Sequence, residues 1–512
     1  MRFGIDFGTT RTVVAAEESG NYPVCTFSWN GELKEYIPSL AAVRDGSLVF
    51  GWEAVDHLGR PGVDILRSMK RLTGHLRPED PVEIGRGFTL PLLDLITQFL
   101  AHVKWMITRH SNLTLKRRER IDAMVATPAN ANSNQRYITF EAFRNAGYGL
   151  LGAINEPSAA AVEFLHRYLK KLGPRSPKKY VVVYDLGGGT FDTSIVGIEE
   201  RSHDVLAHQG ISRLGGDDFD EIILDLVLAE IGRKREDLTP TEIAILLEEC
   251  RERKEGLKAN TRKIVVDPGA VFEGHAPMVI DTAILYERCE ALIQQSLDSV
   301  QRLLANLNTA DIDVADVRSL ASVYLVGGSV AFPPVSRSLR ERFASKVKQS
   351  PFPHGSTAIG LAMAADPAAR IRIQETVSRY FGIWRERGRD KIFDPIFLKD
   401  RQVDSESGHL HVSRTYHPVH NIGLLRFLEC SAIGREGEPA GDISVWKDIY
   451  FPYDPSLRER PDVSLLAVEP RPDLSSQEVV ETYDYDTRGI VRVEIENRTA
   501  GYRKLFKLEP KA

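Results

Sequence analysis

The sequence predicts an α/β region that extends to Asp366, followed by a smaller all-β domain. Apolar runs typical of buried strands alternate with segments of helical period through about residue 365. Within this region, a strand that ends in Asp and is followed by Gly and Thr occurs twice. After Asp366 the helical segments give way to short β-branched and aromatic runs separated by charged turns, which is typical of an all-β domain.

Periodicity places the strands and helices of the first region. The strand candidates are Ile121–Ala126, Tyr180–Tyr184 and Val323–Val326. The helix candidates are Leu92–Ile107, Gln135–Ala146, Ser158–Lys170, Asp218–Ile231, Thr241–Lys258 and Thr282–Leu304.

The favoured domain boundary is Asp366–Arg370, where proline and small residues follow an apolar helix. We therefore expect one domain over residues 1–366, a linker over 367–380 and a β-rich domain over 381–512. The alternating Arg and Ile residues that start the linker predict an edge strand for the first domain. Strand candidates in the β-rich domain are Ile443–Trp446, Val463–Val468 and Ile490–Ile495.

Length and composition limit the class of protein. The 512 residues suffice for two or more cores, with 42% hydrophobic and 27% charged residues, as in ordinary globular proteins. A formal net charge of -5 argues against a nucleic-acid partner, which would require clustered Lys and Arg. The four cysteines are far apart and form no metal-spaced pair, which favours a reducing compartment.

The N-terminus predicts no signal peptide, because Met1 leads directly into the strand-like segment Arg2–Phe7. No apolar stretch reaches the 18 residues typical of a membrane span. We expect a cytoplasmic protein with no membrane partner, and we expect it to be monomeric.

The repeated turn predicts a site for phosphate groups. Asp6-Phe7-Gly8-Thr9-Thr10 recurs in outline as Asp185-Leu186-Gly187-Gly188-Gly189-Thr190. Glycines allow close approach of backbone N–H groups to phosphate oxygens, threonines add donors, and the aspartates can hold Mg²⁺ through its waters. A single turn of this kind is equally typical of an ordinary β-hairpin, but two facing copies can hold one triphosphate between them.

Two further segments complete the predicted site. Glu156 precedes Pro157 and a small-residue helix, and we expect it to be a third acidic group near the metal; a plain helix-start carboxylate is the alternative. Gly327-Gly328-Ser329 follows an apolar strand and could lie against an adenosine, although alone it is typical of an ordinary strand-to-helix turn.

These motifs, taken in order, resemble the seventy-kilodalton heat-shock family over about residues 1–365. The matching blocks are Ile5–Thr10, Met69–Gly74, Ala126–Ala129, Asn155–Ala161, Asp185–Asp192, Leu214–Asp220 and Gly327–Ser329. The resemblance implies an actin-like (ribonuclease H-like) ATPase domain of two lobes, with ATP or ADP and Mg²⁺ held between them.

The resemblance also implies roles for individual residues. The implied metal-site residues are Asp6, Asp185, Asp192 and Glu156. The implied catalytic residues are Lys70, which would position the attacking water, together with Asp6, Glu156, Asp185 and Thr190. The implied nucleotide-binding residues are Gly8, Thr9, Thr10, Gly187, Gly188, Gly189, Thr190, Gly215, Gly216, Lys254, Gly327, Gly328 and Ser329. Pro128 and Arg136 match positions that relay nucleotide state between domains in the family.

The sequence departs from the family on the helix that contacts adenine and ribose. Arg251 stands where the family has an acid, Glu255 where it has an arginine and Lys258 where it has a serine, whereas Lys254 is kept. Arg11 also replaces a smaller or aromatic residue beside the first turn. Because a stacking guanidinium is lost from this helix, we expect weaker ATP binding or an altered base preference.

The C-terminal resemblance is thinner. Val480–Val493 resembles the late hairpin of the family's peptide-binding β-sandwich, with a turn at Thr487-Arg488-Gly489. The usual interdomain linker is replaced, and we expect no helical lid after the β-domain. The resemblance implies that polypeptide clients or a dedicated protein partner bind this domain, and without a lid we expect a bound peptide to be released quickly. Four nearby histidines, His409, His411, His417 and His420, are interpreted as exposed turn residues and not as a metal site.

Three functions remain open on the sequence. The favoured one is a chaperone-like ATPase that couples nucleotide state to polypeptide binding. A nucleotide-sensing scaffold with little turnover is the first alternative, motivated by Arg251, Glu255 and the altered linker. A small-molecule kinase of the same clan is the second, because such kinases share the two-hairpin phosphate site.

Overall fold

The computed structural model describes most of the chain in two compact units. The described residues are 1–60, 62–85, 87–116, 119–168, 178–198, 202–307, 319–387, 390–404, 407–486 and 489–507. The first unit contains residues 1–130 and 138–373, and the second contains residues 131–137 and 374–512. Arg136 belongs to the short segment that is grouped with the second unit, whereas Pro128 belongs to the first.

The helices of the described chain confirm the predicted helical segments with small changes at their ends. They are α1 (Gly51–Val55), α2 (Met69–Leu72), α3 (Leu92–Arg109), α4 (Ser133–Asn145), α5 (Glu156–Tyr168), α6 (Gly216–Glu230), α7 (Pro240–Glu255), α8 (Thr282–Leu307), α9 (Pro333–Phe343) and α10 (Ser356–Ala365). The last two residues of the predicted Ser158–Lys170 helix lie outside the described residues. The start of α7 shows why a helix begins where it does, since Thr239 and Glu242 form a reciprocal capping box around Pro240.

The strands of the first unit include every strand predicted for it. They are β1 (Arg2–Phe7), β2 (Arg11–Ala16), β3 (Phe27–Trp29), β4 (Glu32–Lys34), β5 (Ile37–Pro38), β6 (Ala41–Arg44), β7 (Ser47–Phe50), β8 (Asp64–Leu66), β9 (Pro81–Glu83), β10 (Thr89–Pro91), β11 (Asp122–Thr127), β12 (Gly149–Asn155), β13 (Tyr180–Leu186), β14 (Phe191–Gly197), β15 (Ser202–Ile211), β16 (Lys263–Val266), β17 (Met278–Asp281), β18 (Leu320–Val326), β19 (Val347–Gln349) and β20 (Arg372–Gln374). The last of these confirms the predicted edge strand, since β20 lies beside β15.

Two large sheets of the first unit share one topology. The first has the order β12-β11-β1-β2-β5, and the second has the order β19-β18-β13-β14-β15-β20. In each sheet the leading strand of an antiparallel hairpin, β1 or β13, also pairs with a parallel strand, which pairs in turn with a second parallel strand. The repeated sequence motif is therefore part of a repeated lobe, as expected of an actin-like fold.

Two small-residue helices pack against each other between the sheets. Helix α5 follows the first sheet but packs on β13 and β14 of the second, whereas α10 follows the second sheet and packs on β1 and β2 of the first. A Cβ atom on Gly360 would lie 1.8 Å from the carbonyl oxygen of Ala159, so only glycine allows this approach of the two helices. The two lobes are thus joined by a close helix pair.

The described residues of the second unit beyond 374 form a β-rich domain with an aromatic core. Its strands are β21 (Tyr380–Arg387), β22 (Asp390–Phe397), β23 (His409–Tyr416), β24 (Ile422–Leu425), β25 (Phe427–Ile433), β26 (Pro439–Val445), β27 (Ile449–Pro452), β28 (Val479–Asp486), β29 (Val491–Asn497) and β30 (Tyr502–Lys507). Two four-stranded sheets have the orders β22-β21-β25-β26 and β23-β28-β29-β30. Side chains alternate between buried and solvent-facing positions along β29, as expected for a sandwich with one wet face.

The hairpin predicted near the C-terminus is confirmed, whereas one predicted strand is wrong. β28 and β29 pair antiparallel from Val479↔Asn497 to Tyr485↔Val491. The turn residues 487 and 488 lie outside the described residues. Val463–Val468 does not form a strand: Val463–Leu465 is a 3₁₀ turn, because Val463 alone of that turn is buried and Leu465 is 84% exposed. In the described part of the chain, we find no helix with the length and apolar character that a membrane crossing requires.

Candidate functional site

A cavity of about 230 Å³ lies in the first unit and brings together most of the predicted site residues. The predicted residues that line it are Asp6, Gly8, Thr9, Thr10, Lys70, Glu156, Asp185, Gly187, Gly188, Thr190, Gly216, Lys254, Gly327, Gly328 and Ser329. Three predicted residues are not part of the lining but lie next to lining residues: Gly189 beside Thr9, Gly215 beside Gly188, and Asp192 beside Thr190. Segments that are distant in sequence thus converge on one opening.

The two glycine turns are built in the same way. In the first, the Gly8 N–H donates to the Arg11 carbonyl over 3.1 Å; in the second, the Gly187 N–H donates to the Thr190 carbonyl over the same distance. Each closing glycine follows its aspartate by two residues. Arg11 therefore occupies the position in the first turn that Thr190 occupies in the second. Comparing the two motifs in the sequence did not reveal this correspondence.

The two turns face each other in direct contact. A Cβ atom on Gly188 would lie 2.6 Å from Cγ2 and Oγ1 of Thr10. A Cβ atom on Gly189 would lie 2.4 Å from Oγ1 of Thr9. Side chains at these two glycines would force the lobes apart, so glycine is required by the opposing turn as well as by any ligand. Together, the two turns line one crevice, and glycine-rich turns of this kind are suited to binding an anion through backbone N–H groups.

Two backbone segments support the second turn from below. At the start of α6, the N–H groups of Gly216 and Asp217 donate to the carbonyls of Gly187 and Gly188 over 3.0 and 2.7 Å. The Ser329 hydroxyl also donates to the Gly187 carbonyl over 2.8 Å. With both of these carbonyls occupied, the second turn is held in a fixed orientation toward the cavity.

Gly327 and Lys254 complete this support. Gly327 has a φ of +84°, and a Cβ atom there would lie 2.3 Å from the Leu186 carbonyl, so glycine is needed at this position. Lys254 lies buried, donates to the Gly216 carbonyl over 2.5 Å and pairs with Asp220 over 2.7 Å. The retained lysine of α7 thus holds the start of α6 in place.

An acidic cluster surrounds Lys70 at the base of the cavity. Lys70 is 5% exposed, and its Nζ donates to Oε1 of Glu156 over 2.5 Å. Burial alone would lower the pKa of Lys70, but the charges of Glu156 and Asp6 outweigh it and raise the pKa. The lysine is therefore held in its charged form.

The aspartates of the cluster have raised pKa values. Burial, reinforced by the charge of Glu156, raises the pKa of both Asp6 and Asp192 to about 7. Burial, again with Glu156 and with the other aspartates, holds the pKa of Asp185 well above its ordinary value. Lys70 opposes each shift without cancelling it. Ionisation of all four carboxyls would therefore leave excess negative charge in this buried cluster, and that cost is what raises the pKa values.

This donor set fits Mg²⁺. Four carboxylates face Lys70, so negative charge remains unbalanced when they ionise, and a divalent cation would balance it. Mg²⁺ prefers oxygen ligands and keeps several waters, which suits carboxylates spread around an open cavity. Asp6, Asp185, Asp192 and Glu156 are the residues that would hold it.

The cavity wall formed by α7 departs from expectation in a specific way. Glu255 pairs with Arg11, whose guanidinium also lies 4.4 Å from the ring centre of Tyr36 and 3.2 Å from Nδ1 of His354. The guanidinium that pairs with Glu255 therefore comes from the first turn, in addition to Arg251 of α7 itself. Sequence reasoning noted Arg11 and Glu255 separately but did not foresee that they pair.

The lining also contains Arg251, which the sequence placed on the adenosine-contacting helix, and His354, which the sequence did not indicate. Arg251 and His354 line the cavity, and Arg251 pairs with Glu248, which also accepts from Arg67 over 2.6 Å. Burial, followed by the charge of Arg11, lowers the pKa of His354 to about 4. The i, i+3 spacing of Glu248 and Arg251 on a helix would have indicated their ion pair. Nothing in the sequence placed His354.

Comparisons with known proteins agree with this geometry. The model of the Hsp70 protein family matches residues 98–372, which is more than half of the chain and begins after Lys70. The chain is also similar to the chaperone protein DnaK of Mycoplasmopsis pulmonis (strain UAB CTIP), with 30% identity over 365 residues. That similarity covers 70% of this chain and 57% of the relative. The chain thus spans little more than half the length of this curated relative.

Proposed function

Because this chain belongs to the Hsp70 protein family, we propose that it binds and hydrolyses ATP and couples nucleotide state to polypeptide binding by its β-rich second unit. The observation that carries the proposal is the pair of facing turns closed by the same hydrogen bond, Gly8 to Arg11 and Gly187 to Thr190, above an acidic cluster. Such a site provides what phosphoryl transfer needs, namely fixed donors and charge around a triphosphate.

The two turns would hold the phosphates. Backbone N–H groups and the hydroxyls of Thr9 and Thr10 would be donors, together with Thr190, whose side chain also bonds to Asp192. When bound at the acidic cluster, Mg²⁺ would neutralise phosphate charge. The surrounding protein groups are preorganised, so they would stabilise charge as it develops in the transition state.

Lys70 would act at the terminal phosphate. Its charged Nζ lies in the cavity beside Glu156, where it can orient a water molecule and balance negative charge on the transferred group. Asp185 and Glu156 are the carboxylates placed to accept hydrogen bonds from that water. Hydrolysis would then depend on placement and electrostatics and not on a covalent intermediate.

The relative position of the two lobes would depend on which nucleotide is bound. One turn comes from each sheet, and Arg71 of α2 donates to the Gly189 carbonyl over 2.9 Å while pairing with Asp218 over 2.7 Å. A ligand that bridges both turns would favour one relative position of the lobes, because it binds that position more tightly. Loss of the terminal phosphate would release this preference, and the second unit would respond through such a change.

Single-turnover hydrolysis tests the catalytic part of this proposal. Lys70→Ala should slow phosphate release from bound ATP by about 10²–10³-fold, the range typical of losing one preorganised electrostatic group. Calorimetry should show that the variant still binds Mg·ATP. Lys263→Ala, at an exposed lysine on β16, is the matched control and should hydrolyse ATP at the wild-type rate. Equal rates in wild type and Lys70→Ala would contradict the assignment.

A peptide-binding measurement tests the coupling. The anisotropy of a labelled, extended apolar peptide should rise with the full chain, and its affinity should differ between ATP and ADP. Tight ATP binding with negligible phosphate release would instead favour a nucleotide-sensing scaffold. Transfer of phosphate to a sugar or acetate would favour a kinase.

A further inference from the structure

Two of the four clustered histidines lie on a strand and not on a turn. His409 and His411 are in β23, an edge strand of the sheet β23-β28-β29-β30. Because successive side chains of a strand point to opposite faces, residues two apart share a face. The two imidazole rings are accordingly parallel, with an interplanar angle of 5° and ring centres 5.8 Å apart.

The neighbouring strand places a carboxylate between these rings. Asp484 of β28 is the direct cross-strand partner of His411, and its side chain reaches both histidines. Its Oδ1 lies 2.7 Å from Nδ1 of His409 and 3.5 Å from Nδ1 of His411. One ligand atom from each of the three residues lies within 4.8 Å of the others.

We propose that His409, His411 and Asp484 form a binding site for a divalent transition-metal ion, with Zn²⁺ as the expected occupant. Two ligands at about 2.0–2.1 Å in a tetrahedral site are roughly 3.3 Å apart, and the distances of 2.7 and 3.5 Å lie on either side of that value. Small side-chain rotations therefore suffice. The third pair of ligand atoms, on the two histidines, lies within 4.8 Å, and the side chains of His409 and His411 are 36% and 62% exposed, so solvent borders both rings.

The donor atoms select the class of ion. Two imidazole nitrogens and one carboxylate oxygen suit Zn²⁺, Cu²⁺, Ni²⁺ and Co²⁺, whereas Mg²⁺ and Ca²⁺ require oxygen ligands. Three protein ligands leave one tetrahedral position for water or another donor. The site is therefore distinct in chemistry from the acidic cluster of the first unit.

Further contacts at Asp484 hold the carboxylate in place. Its other oxygen, Oδ2, lies 3.7 Å from the guanidinium of Arg492 on β29, which leaves Oδ1 facing the histidines. A carboxylate anchored by a neighbouring strand keeps its orientation, as the supporting partners of metal ligands do. The bound ion would join edge strand β23 to β28 through side chains as well as through backbone pairing.

The remaining two histidines provide internal controls. His417 follows β23, and its Nδ1 lies 2.8 Å from the Gln477 carbonyl, while His420 pairs with Pro470 through a backbone bridge. Neither belongs to the group that could hold an ion. The four cysteines are buried, so they do not compete as exposed thiol ligands in the native protein.

Calorimetric titration of the untagged full chain with ZnCl₂ in excess Mg²⁺ tests the site. Wild type should bind one Zn²⁺ per chain, and His411→Asn, at an exposed position, should weaken binding at least tenfold. His417→Asn should bind as wild type does. Asp484→Asn should also weaken binding, and circular dichroism of each variant should match wild type.

A second measurement keeps the proposal testable should one variant fold poorly. Zn²⁺ should raise the Tm of wild type and His417→Asn but leave that of His411→Asn unchanged, because only a ligand that binds the native state stabilises it. Bound Co²⁺ should give the visible absorption of a low-coordinate site in the same two proteins. Equal zinc affinity in wild type and a His409→Asn/His411→Asn double variant would overturn the proposal, as would the absence of stoichiometric binding.

Discussion

The two ends of the cavity in the first unit are built from different parts of the chain. The turn end consists of the hairpin turns Gly8–Arg11 and Gly187–Thr190, which present backbone groups. The α7 end consists of Arg251, Lys254 and Glu255, which present side chains. At the turn end the observed residues match the family pattern except at Arg11, whereas at the α7 end only Lys254 does.

The difference shows which constraints come from the backbone. At the turn end, the two turns approach each other so closely that there is no room for a Cβ atom at Gly188 or Gly189. At the α7 end a side chain can be exchanged when its partner changes with it, and Arg11 and Glu255 form such a compensated pair. At the position of Glu255 on α7 the family has an arginine. Here the Arg11 guanidinium reaches that position from the first turn.

The largest expected effect comes from breaking the turn end. Gly188→Ala should lower Mg·ATP affinity at least about 100-fold, since the added Cβ would overlap Thr10 and separate the two turns. A 100-fold loss corresponds to roughly 3 kcal/mol of binding free energy. Calorimetry of ATP binding measures it directly.

The matched control for this change is Gly256→Ala, the same substitution at an exposed glycine after α7. A Cβ atom there would meet the Arg253 carbonyl at an ordinary 3.4 Å. This variant should bind ATP within about twofold of wild type. If Gly188→Ala bound ATP as tightly as Gly256→Ala, contact between the turns would not limit the site.

A smaller effect should follow from breaking the ion pair that joins Arg11 of the turn end to Glu255 of the α7 end. Arg11→Ala should weaken ATP binding about tenfold, roughly 1.4 kcal/mol, because it removes a positive group from the cavity and leaves Glu255 without this partner. The single-turnover rate should stay within about threefold, since the contact of Lys70 with Glu156 does not involve Arg11. The ratio of ATP to GTP affinity should change as well.

Two variants sharpen the comparison at this end. Glu255→Gln should bind ATP more tightly than wild type, because a carboxylate no longer faces the nucleotide. Arg342→Ala, at an exposed arginine on α9, should change neither affinity nor rate. An Arg11→Ala protein with wild-type affinity and base preference would show that the guanidinium has no part in binding.

The same division explains what the sequence could predict. The repeated Asp-Gly-Thr motif predicted both turns, and helical period predicted α3 to α8 to within a few residues, because local patterns carry that information. The pairing of Arg11 with Glu255 depends on two segments 244 residues apart in sequence, so no local pattern encodes it. For the same reason the sequence did not place His354 in the cavity, and it interpreted His409 and His411 as turn residues without foreseeing their approach to Asp484.

The smallest predicted effect concerns the free energy of unfolding and a buried histidine on α3. Burial, followed by the charge of His110, lowers the pKa of His102 on α3 to about 4, and its Nε2 has no hydrogen-bond partner among the described residues. The unfolded chain therefore takes up a proton near the ordinary histidine pKa of about 6.5, whereas the folded chain resists until about pH 4. Stability is thus retained above pH 6.5 and lost as the pH falls from there toward 4. Between pH 7.5 and about 5.8, His102→Gln should lose about 1 kcal/mol less unfolding free energy than wild type, measured by urea titration. Exposed His75→Gln is the control, and a His102→Gln profile parallel to wild type would show that this histidine is not what makes the scaffold sensitive to acid.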